Sequence, residues 1–209
     1  MKILGITGGV GSGKSKVLHF LEEEYGAVVC QLDEVAKELQ KKGGACYQKI
    51  IEQFGTEIIG PDGELDRSRL AALIFRDAQM RQKLNGIVHP EVKKWVEQDI
   101  EEKKKRKVPL YVIEAALLPE AGYEDICGEM WYIYAEESVR RERLKQSRGY
   151  SDEKIARMME AQSPEREMCI RDRPYAVDMS SGVETGGRKD KEKIEKAVRR
   201  IRDVERKIR

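Results

Sequence analysis

Short apolar runs alternate with helical patterns along this chain of 209 residues. Compact apolar runs predict five strands, at residues 2–6, 27–32, 109–118, 130–135 and 174–179. Apolar residues that recur at helical spacing predict helices between them, from Lys14 onward and over residues 34–41, 45–54, 66–75, 77–86, 91–106, 137–148, 151–162 and 188–209. Because strands that alternate with helices form parallel sheets, we predict an α/β protein with a parallel five-stranded sheet flanked by helices.

One long helical stretch interrupts this alternation. Residues 45–106 contain helical patterns only, which is too much chain for a plain crossover between two neighbouring strands. We therefore predict that this stretch is an inserted region that covers a substrate.

The segment between the first strand and the first helix is rich in glycine. It reads GGVGSGKS over residues 8–15. This is the P-loop pattern, in which glycines let the main chain approach phosphate oxygens and the N-terminus of a helix attracts anions. Lys14 is predicted to reach the outer phosphates, and the hydroxyl of Ser15 is predicted to contact Mg²⁺. The alternative is a glycine-rich turn that only joins a strand to a helix.

An acidic residue, Asp33, closes the second predicted strand, at the sheet edge that carries the loop. A carboxylate there can accept a proton from a substrate hydroxyl or help to hold Mg²⁺. Alternatively, Asp33 caps the helix that follows it. The P-loop pattern alone does not separate kinases from GTPases and motor ATPases, but the sequence lacks the Asn-Lys-x-Asp motif that reads guanine.

The segment SVRRERLKQSRGY adds a cluster of arginines. Arg140 and Arg143 lie one turn apart on the predicted helix, and Arg148 lies at its end, before Gly149. Guanidinium groups stabilise the negative charge that spreads over phosphoryl oxygens during transfer. We therefore predict a lid that carries arginines and excludes water. The alternative is a solvated, charged helix.

The composition excludes few classes of function. Charged residues make up 37% of the chain, yet the net charge is only +2, which gives no general argument for nucleic-acid binding. No apolar run approaches the length of a transmembrane helix, and the first strand leaves no room for a signal peptide. Four cysteines form no metal-binding motif and are predicted to be reduced, mostly buried thiols of a cytoplasmic protein: Cys30, Cys46, Cys127 and Cys169.

Four motifs, in this order, resemble the dephospho-CoA kinase family over nearly the whole chain. They are GITGGVGSGKS; FGTEIIGPDGELDRSRLAALIF with LNGIVHPEV; VIEAALLPEAGYE; and RLKQSRGYSDEKIARMMEAQ. The resemblance implies the P-loop NTPase fold with a helical substrate-binding insertion and a helical lid. It divides the chain into a nucleotide-binding core (about 1–44, 108–136 and 174–209), a substrate region (about 45–107) and a lid (about 137–165).

The resemblance also implies an activity and roles for single residues. ATP, as its Mg²⁺ complex, would give its γ-phosphoryl group to the 3′-hydroxyl of the ribose of dephospho-CoA. The residues expected to bind ATP form the loop and the start of its helix: Gly8, Gly9, Gly11, Ser12, Gly13, Lys14, Ser15 and Lys16. Lys14 would contact the transferred group, Ser15 would contact Mg²⁺, and Asp33 would be the base or would orient the hydroxyl.

Further candidates follow from the same resemblance. Arg140, Arg143 and Arg148 are expected to contact phosphates from the lid, without a ranking among them. His89 is a candidate for substrate binding, with a buried packing histidine as the alternative. Leu117 is assigned to the substrate side as core or pocket wall rather than as a chemical group.

The sequence departs from the family pattern in four places. Gln31 stands where the family frequently has aspartate, and Lys16 stands where threonine is frequent. In the central strand, Glu114 and Ala116 stand where aspartate and proline are frequent. The largest departure is MCIRDRPYAVDMSSG, where the family has a segment near the adenine of ATP. The adenine side, around residues 180–182, is therefore the least defined part of the predicted site.

Three alternatives to this activity can be separated by experiment. Another P-loop kinase, such as a nucleoside monophosphate kinase, would phosphorylate a mononucleotide. An ATP-dependent switch would bind ATP without transferring phosphate to a diffusible alcohol. RNA binding through EEKKKRK and the basic C-terminal helix is disfavoured because acidic residues interleave both. The predicted partners are ATP and dephospho-CoA, without nucleic acid or membrane, and the sequence does not indicate an oligomeric state.

Overall fold

The computed structural model describes most of the chain. The described residues are 1–116, 118, 122, 123, 125–160, 176–178, 184, 185, 188–196, 198 and 199. They divide into two compact units. The first unit comprises Met1–Val29 and Val108–Arg209, and the second unit comprises Cys30–Lys107.

The first unit alternates strands and helices. Its elements are β1 Lys2–Thr7, α1 Lys14–Tyr25, β3 Leu110–Glu114, β4 Glu129–Tyr132, α6 Glu137–Arg148, α7 Asp152–Glu160, β5 Ala176–Asp178, β6 Glu184–Thr185 and β7 Arg188–Lys189. Strand β2, Val28–Gln31, crosses the boundary between the units. The second unit is helical, with α2 Leu32–Leu39, α3 Tyr47–Phe54, a 3₁₀ turn Thr56–Ile58, α4 Arg67–Arg76 and α5 Ala78–Lys105.

The main sheet has the strand order β2-β3-β1-β4-β5. Strand β1 pairs in parallel with β3 and with β4, and β4 pairs in parallel with β5. Helices lie between β1 and β2, between β2 and β3, and between β4 and β5 along the chain, where parallel neighbours need a crossover. The predicted α/β fold with a parallel sheet is confirmed.

Several predicted boundaries of strands and helices are wrong, and two of them have a clear physical cause. The third strand ends at Glu114 rather than at residue 118, because its last pairing partner on β1 is Ile6. Near the C-terminus, β7 occupies Arg188–Lys189, where the last helix was predicted to begin. Residues 191–196, 198 and 199 are helical. Asp190 accepts hydrogen bonds there from the backbone N–H groups of Glu192 and Lys193, which fixes the start of this helix.

The core of the first unit lies between the central strands and α1. Its largest members come from β1, α1 and β4, and the cluster comprises Leu4, Ile6, Val17, Leu18, Phe20, Leu21, Ala27, Val112, Trp131, Ile133, Ile194 and Val198. Both faces of β1 are covered, so residues 4–7 are all buried. The end of β1, and the loop after it, are therefore held by strands on either side.

The second unit is organised around the 28-residue helix α5, and this corrects the prediction of two helices separated at Pro90. A proline inside a helix removes one hydrogen bond and costs about 3 kcal/mol. Here a stripe of apolar residues at four-residue spacing continues through Pro90: Leu84, Val88, Val92, Val96 and Ile100. Burial of each such side chain contributes about 1.5–3 kcal/mol, which offsets the cost of the proline.

Candidate phosphate-binding site

The predicted glycine loop joins β1 to α1 within the first unit. Helix α1 begins at Lys14, directly after Gly13, which has φ 98°. No side chain of the described residues caps the N-terminus of α1. The backbone N–H groups of its first turn are therefore donors suited to an anion.

Two glycines of the loop are required by close contacts as well as by backbone conformation. A Cβ at Gly8 would lie 2.3 Å from the carbonyl oxygen of Ile133 on the β4 side, with φ at +143°. A Cβ at Gly11 would lie 3.0 Å from the carbonyl oxygen of Arg140, with φ at +78°. The loop thus packs against the chain after β4 and against α6 too closely for a side chain.

Lys14 is held inside the loop. Its Nζ donates a hydrogen bond to the carbonyl oxygen of Gly8 at 2.7 Å and a longer one to that of Gly9 at 3.5 Å. Its Nζ also lies 3.7 Å from Oε1 of Glu114. The Lys14 and Glu114 side chains are only 15% and 12% exposed, so their charges are weakly screened by solvent.

The three other polar side chains of the predicted loop differ in exposure. Ser15 and Lys16, in the first turn of α1, are exposed to solvent. Ser12 is buried, and its hydroxyl has no hydrogen-bond partner among the described residues. Its backbone N–H donates to the carbonyl oxygen of Gly9, which closes the turn of the loop.

The three predicted arginines occupy different environments on α6. Arg143 donates from Nη1 to the carbonyl oxygens of Gly11 and Ser12, at 3.4 and 3.2 Å. Arg140 is 5% exposed and packs through its backbone against Gly11. Arg148 is the exposed last residue of α6, and its guanidinium lies 6.0 Å from the ring centroid of Tyr150. A solvated helix is therefore a wrong description of the face that carries Arg140 and Arg143.

The predicted base, Asp33, belongs to the second unit. It is the second residue of α2, in the first turn rather than at the end of a strand, and it is exposed. The N-cap position of α2 is occupied by Gln31, with extended backbone angles of −90° and 110°. The interpretation of Asp33 as the N-cap residue is therefore wrong, and its role toward a substrate stays a prediction.

His89 and Leu117 complete the predicted set. His89 is exposed in the middle of α5, so its interpretation as a buried packing histidine is wrong. Its contact with substrate stays a prediction. Leu117 lies outside the described residues, whereas its neighbour Leu118 is fully buried.

Glu114 is a site residue that the sequence analysis noted only as a departure from the family pattern. In the sequence it is a single charged residue within the apolar run 109–118. Its meaning depends on the register of the sheet, in which Glu114 pairs with Ile6, two residues before the loop. A charged residue at the end of a buried parallel strand is the signal that could have found it.

The described residues also limit other kinds of site. Within them, no helix combines the length and the apolar character needed to cross a membrane. No group of three or more His, Cys, Asp or Glu side chains in the same part of the chain could hold a metal ion. Cys30, Cys46 and Cys127 are free and buried, as predicted, and Cys169 lies outside the described residues.

Comparisons with known proteins identify related sequences over most of the chain. The family model described as dephospho-CoA kinase matches residues 2–176. The dephospho-CoA kinase of Geobacter sulfurreducens is 37% identical over 171 residues, which are 82% of this chain and 86% of that protein. The enzyme of the same name from Moorella thermoacetica is 41% identical over 145 residues, covering 69% and 68% of the two chains.

Solved structures share the fold. The crystal structure of TT1252 from Thermus thermophilus matches with a TM-score of 0.76 and 30% identity, over 97% of both chains. The dephospho-CoA kinase from Campylobacter jejuni matches with a TM-score of 0.65 over 100% of both chains. At 18% identity, the second likeness supports the fold alone.

A second family model matches a short segment near the C-terminus. It is described as N-(5′-phosphoribosyl)anthranilate isomerase and covers residues 163–200. This segment contains MCIRDRPYAVDMSSG, the largest departure from the kinase pattern. Residues 180–182, predicted on the adenine side, fall within it and lie outside the described residues.

Proposed function

The chain belongs to the dephospho-CoA kinase family, and we propose that it transfers the γ-phosphoryl group of ATP to the 3′-hydroxyl of dephospho-CoA, giving coenzyme A and ADP. The observation that carries this proposal is the enclosed Lys14 at a glycine loop that leads into an uncapped helix N-terminus. Loop N–H groups and a fixed ammonium are the groups that stabilise a phosphoryl group in transfer.

The loop and helix α6 have separate proposed tasks. The backbone N–H groups of Gly11, Gly13 and the following residues hold the ATP phosphates, and Lys14 stabilises the charge on the transferred group. Arg143 and Arg140 act from α6, with Arg143 adding positive charge next to Gly11 and Ser12. Arg148, together with the rest of residues 137–165, forms the proposed lid, which excludes water during transfer.

The acceptor side is assigned to the second unit. Asp33 orients the 3′-hydroxyl and accepts its proton, for which an exposed carboxylate on a first helical turn is accessible. His89 contacts dephospho-CoA as part of a substrate region at about 45–107, and Leu117, which lies outside that region, is assigned to the pocket wall. The proton leaves the hydroxyl oxygen as that oxygen forms its bond to the γ-phosphorus and the bond from phosphorus to the leaving ADP oxygen breaks.

The donor set fits a Mg²⁺ ion that arrives with ATP. Mg²⁺ keeps several waters and uses few protein ligands together with phosphate oxygens, so a cluster of three protein ligands is not required. We propose that the exposed hydroxyl of Ser15 binds it. When bound, Mg²⁺ neutralises charge on the β- and γ-phosphates. We also place the protein in the cytoplasm, without a nucleic-acid or membrane partner.

A coupled assay of ADP release tests the proposed function. Purified protein is given ATP and Mg²⁺ with dephospho-CoA, AMP or adenosine, and the product is identified by mass. We expect release that depends on dephospho-CoA. Release with AMP instead would assign the protein to the nucleotide kinases. ATP binding without release on any acceptor would contradict the kinase proposal and favour a switch.

A further inference from the structure

The carboxylate of Glu114 is placed to act on Lys14 rather than on a substrate. Among the contacts of Lys14 Nζ are two neutral acceptors, the carbonyl oxygens of Gly8 and Gly9, and the negatively charged Oε1 of Glu114 at 3.7 Å. Glu114 comes from β3, a strand that pairs with β1 in parallel. The carboxylate therefore belongs to a different segment from the loop that it supports.

The strands around Glu114 fix its position. Residue Ile6 of β1 pairs with Glu114, and the preceding residue of β3, Ile113, is fully buried. Beyond the strand, the hydroxyl of Thr7 donates a hydrogen bond to the carbonyl oxygen of Ala116 at 2.9 Å. These contacts join the end of β1 to the end of β3. The Glu114 carboxylate and the loop after β1 therefore keep a fixed position relative to each other.

A lysine in such a loop needs this support. Its ammonium is a point charge on a flexible four-carbon stem, which loses rotamer freedom when it is fixed. Carbonyl oxygens orient the ammonium but supply no opposite charge. Because both side chains are nearly enclosed, the attraction between them is stronger than that of an ion pair in solvent.

We propose that Glu114 is a positioning residue that holds the Lys14 ammonium at the mouth of the glycine loop for phosphoryl transfer. This rests on the proposed function. Loss of the charge allows Lys14 several stem conformations, so the ammonium meets the transferred group less often in the reacting geometry. Ground-state binding of ATP is retained, because the loop N–H groups remain.

The first test needs no acceptor substrate. A neighbouring carboxylate favours the charged ammonium, which does not react with acylating reagents. In Glu114→Gln, we expect the rate of acylation of Lys14, followed by mass spectrometry at fixed pH, to rise at least threefold. The matched control is Glu101→Gln, which removes the carboxylate 2.6 Å from Lys104 on the exposed surface. There we expect less than a twofold change for Lys104, because exposed pairs are screened.

The second test uses the transfer reaction. We expect Glu114→Gln to lower kcat about tenfold, while the Kd for ATP, measured by calorimetry, changes less than threefold. Glu114→Asp keeps the charge one methylene away and is expected to recover part of kcat. In a Lys14→Ala background, Glu114→Gln is expected to change kcat less than twofold, because Glu114 acts through Lys14.

Distinct results overturn this proposal. An unchanged acylation rate of Lys14 and an unchanged kcat in folded Glu114→Gln would do so. Recovery of kcat at high Mg²⁺ would instead make Glu114 a metal ligand. If Glu114→Gln does not fold, Glu114→Asp is the test variant instead. A kcat and a Lys14 acylation rate in Glu114→Asp that equal those of the wild type would also overturn the proposal. Absence of turnover in the wild-type protein would contradict the proposed function alone, because the acylation test still applies.

Discussion

The two units hold their candidate residues in opposite ways. In the first unit, Lys14 is 15% exposed and is surrounded by loop carbonyls and Glu114. In the second unit, Asp33 and His89 are exposed on helices α2 and α5. The phosphate side is organised by contacts inside the protein, whereas the candidates of the acceptor side face solvent.

This difference separates two kinds of contribution to catalysis. Groups that are fixed before the substrate arrives stabilise the transition state without reorganisation at the moment of reaction. Exposed groups gain their geometry from the substrate itself, so part of the binding energy is used to order them. We therefore expect substitutions in the loop to act mainly on kcat and substitutions on the acceptor side to act on both kcat and KM.

The largest effect is expected for Lys14→Ala. Removal of one preorganised donor from a developing oxyanion costs about 10²–10³-fold in kcat. By analogy we expect the upper end of that range for Lys14, because it is charged and enclosed. Steady-state kinetics with dephospho-CoA would measure it. Lys16→Ala keeps the backbone N–H through which Lys16 is expected to bind ATP and removes only an exposed side chain of the same turn. It is therefore the matched control, with a change of less than about threefold expected from the rule for surface charges. Equal losses in both variants would contradict the distinction between the two lysines.

Asp33→Asn is expected to lower kcat about 10²-fold, the lower end of the range for general bases. The KM for dephospho-CoA is expected to rise, because the substrate hydroxyl loses its acceptor. Glu34→Gln provides the control. Glu34 is the next acidic residue of the same helical turn, and its carboxylate accepts a hydrogen bond from Lys37. Wild-type rates for Asp33→Asn would remove Asp33 from the proposed mechanism.

A smaller effect is expected for Arg143→Ala. Its guanidinium contacts the carbonyl oxygens of Gly11 and Ser12, so its loss loosens the loop as well as removing a charge. We expect kcat to fall about tenfold, consistent with about 1.4 kcal/mol. Arg141→Ala, which breaks only the surface pair with Glu137, should leave kcat within about twofold. If Arg141→Ala matched Arg143→Ala, the contact with the loop would not explain the effect.

The smallest effect concerns two buried thiols, one in each unit. Burial raises the pKa of Cys127 to about 12. The pKa of Cys46 is also raised, mainly by burial and to a smaller extent by the nearby negative charge of Glu91. Because the thiolate is the reactive form, we expect little alkylation of either thiol at pH 8 and no loss of activity. Rapid alkylation of Cys127 in the native protein would contradict its burial.

The same thiols report the opening of each unit. In rising urea, mass-resolved alkylation is expected to reach Cys46 before Cys127, because Cys127 belongs to the unit with the sheet.

The raised pKa of Cys127 also determines whether the free energy of unfolding rises or falls with pH. Above the ordinary value of 9.0 the unfolded chain ionises while the folded chain keeps its proton, so stability falls from pH 9 toward about 12.

Local patterns predicted the fold well where the physics is local. Helix α6 begins and ends where the spacing of apolar residues places it, Glu137–Arg148. The break predicted at Pro90 is wrong because the prediction considered only the hydrogen bond that proline removes. The free energy gained by burying the apolar stripe along the whole of α5 is larger than that cost. A prediction from a single residue could not include that sum.

The site was predictable as a motif but not as an arrangement. The loop with Lys14 follows from its glycine spacing, because the chemistry lies within eight consecutive residues. The pair between Lys14 and Glu114 joins positions 100 residues apart and requires the register of β1 and β3. The packing of α6 likewise cannot be predicted from the motif. It places Arg143 against the loop and Arg148 beside Tyr150.

The likeness to the kinase family changes near the C-terminus. The kinase match ends at residue 176, and the isomerase match begins at residue 163. The two matches overlap over residues 163–176, which include the first part of MCIRDRPYAVDMSSG, where the sequence departs most from the kinase pattern. The departure therefore lies within the residues that the second model matches, whereas the loop, Asp33 and the arginines of α6 all lie in the part matched by the kinase model alone.

The pairing of β1 with β3 has a consequence for synthesis of the chain. Lys2 pairs with Leu110, so at about 5–20 residues per second the first strand waits several seconds for its partner. During that time β1 lacks its hydrogen-bonding partner β3, and Leu4 and Ile6, both buried in the finished protein, lack Val112 of their core cluster. The helical unit between them is built from local contacts, which form early. We expect nascent chains that stop before residue 108 to bind chaperones through β1, and proteolysis of stalled ribosome complexes would detect its protection only after β3 has emerged.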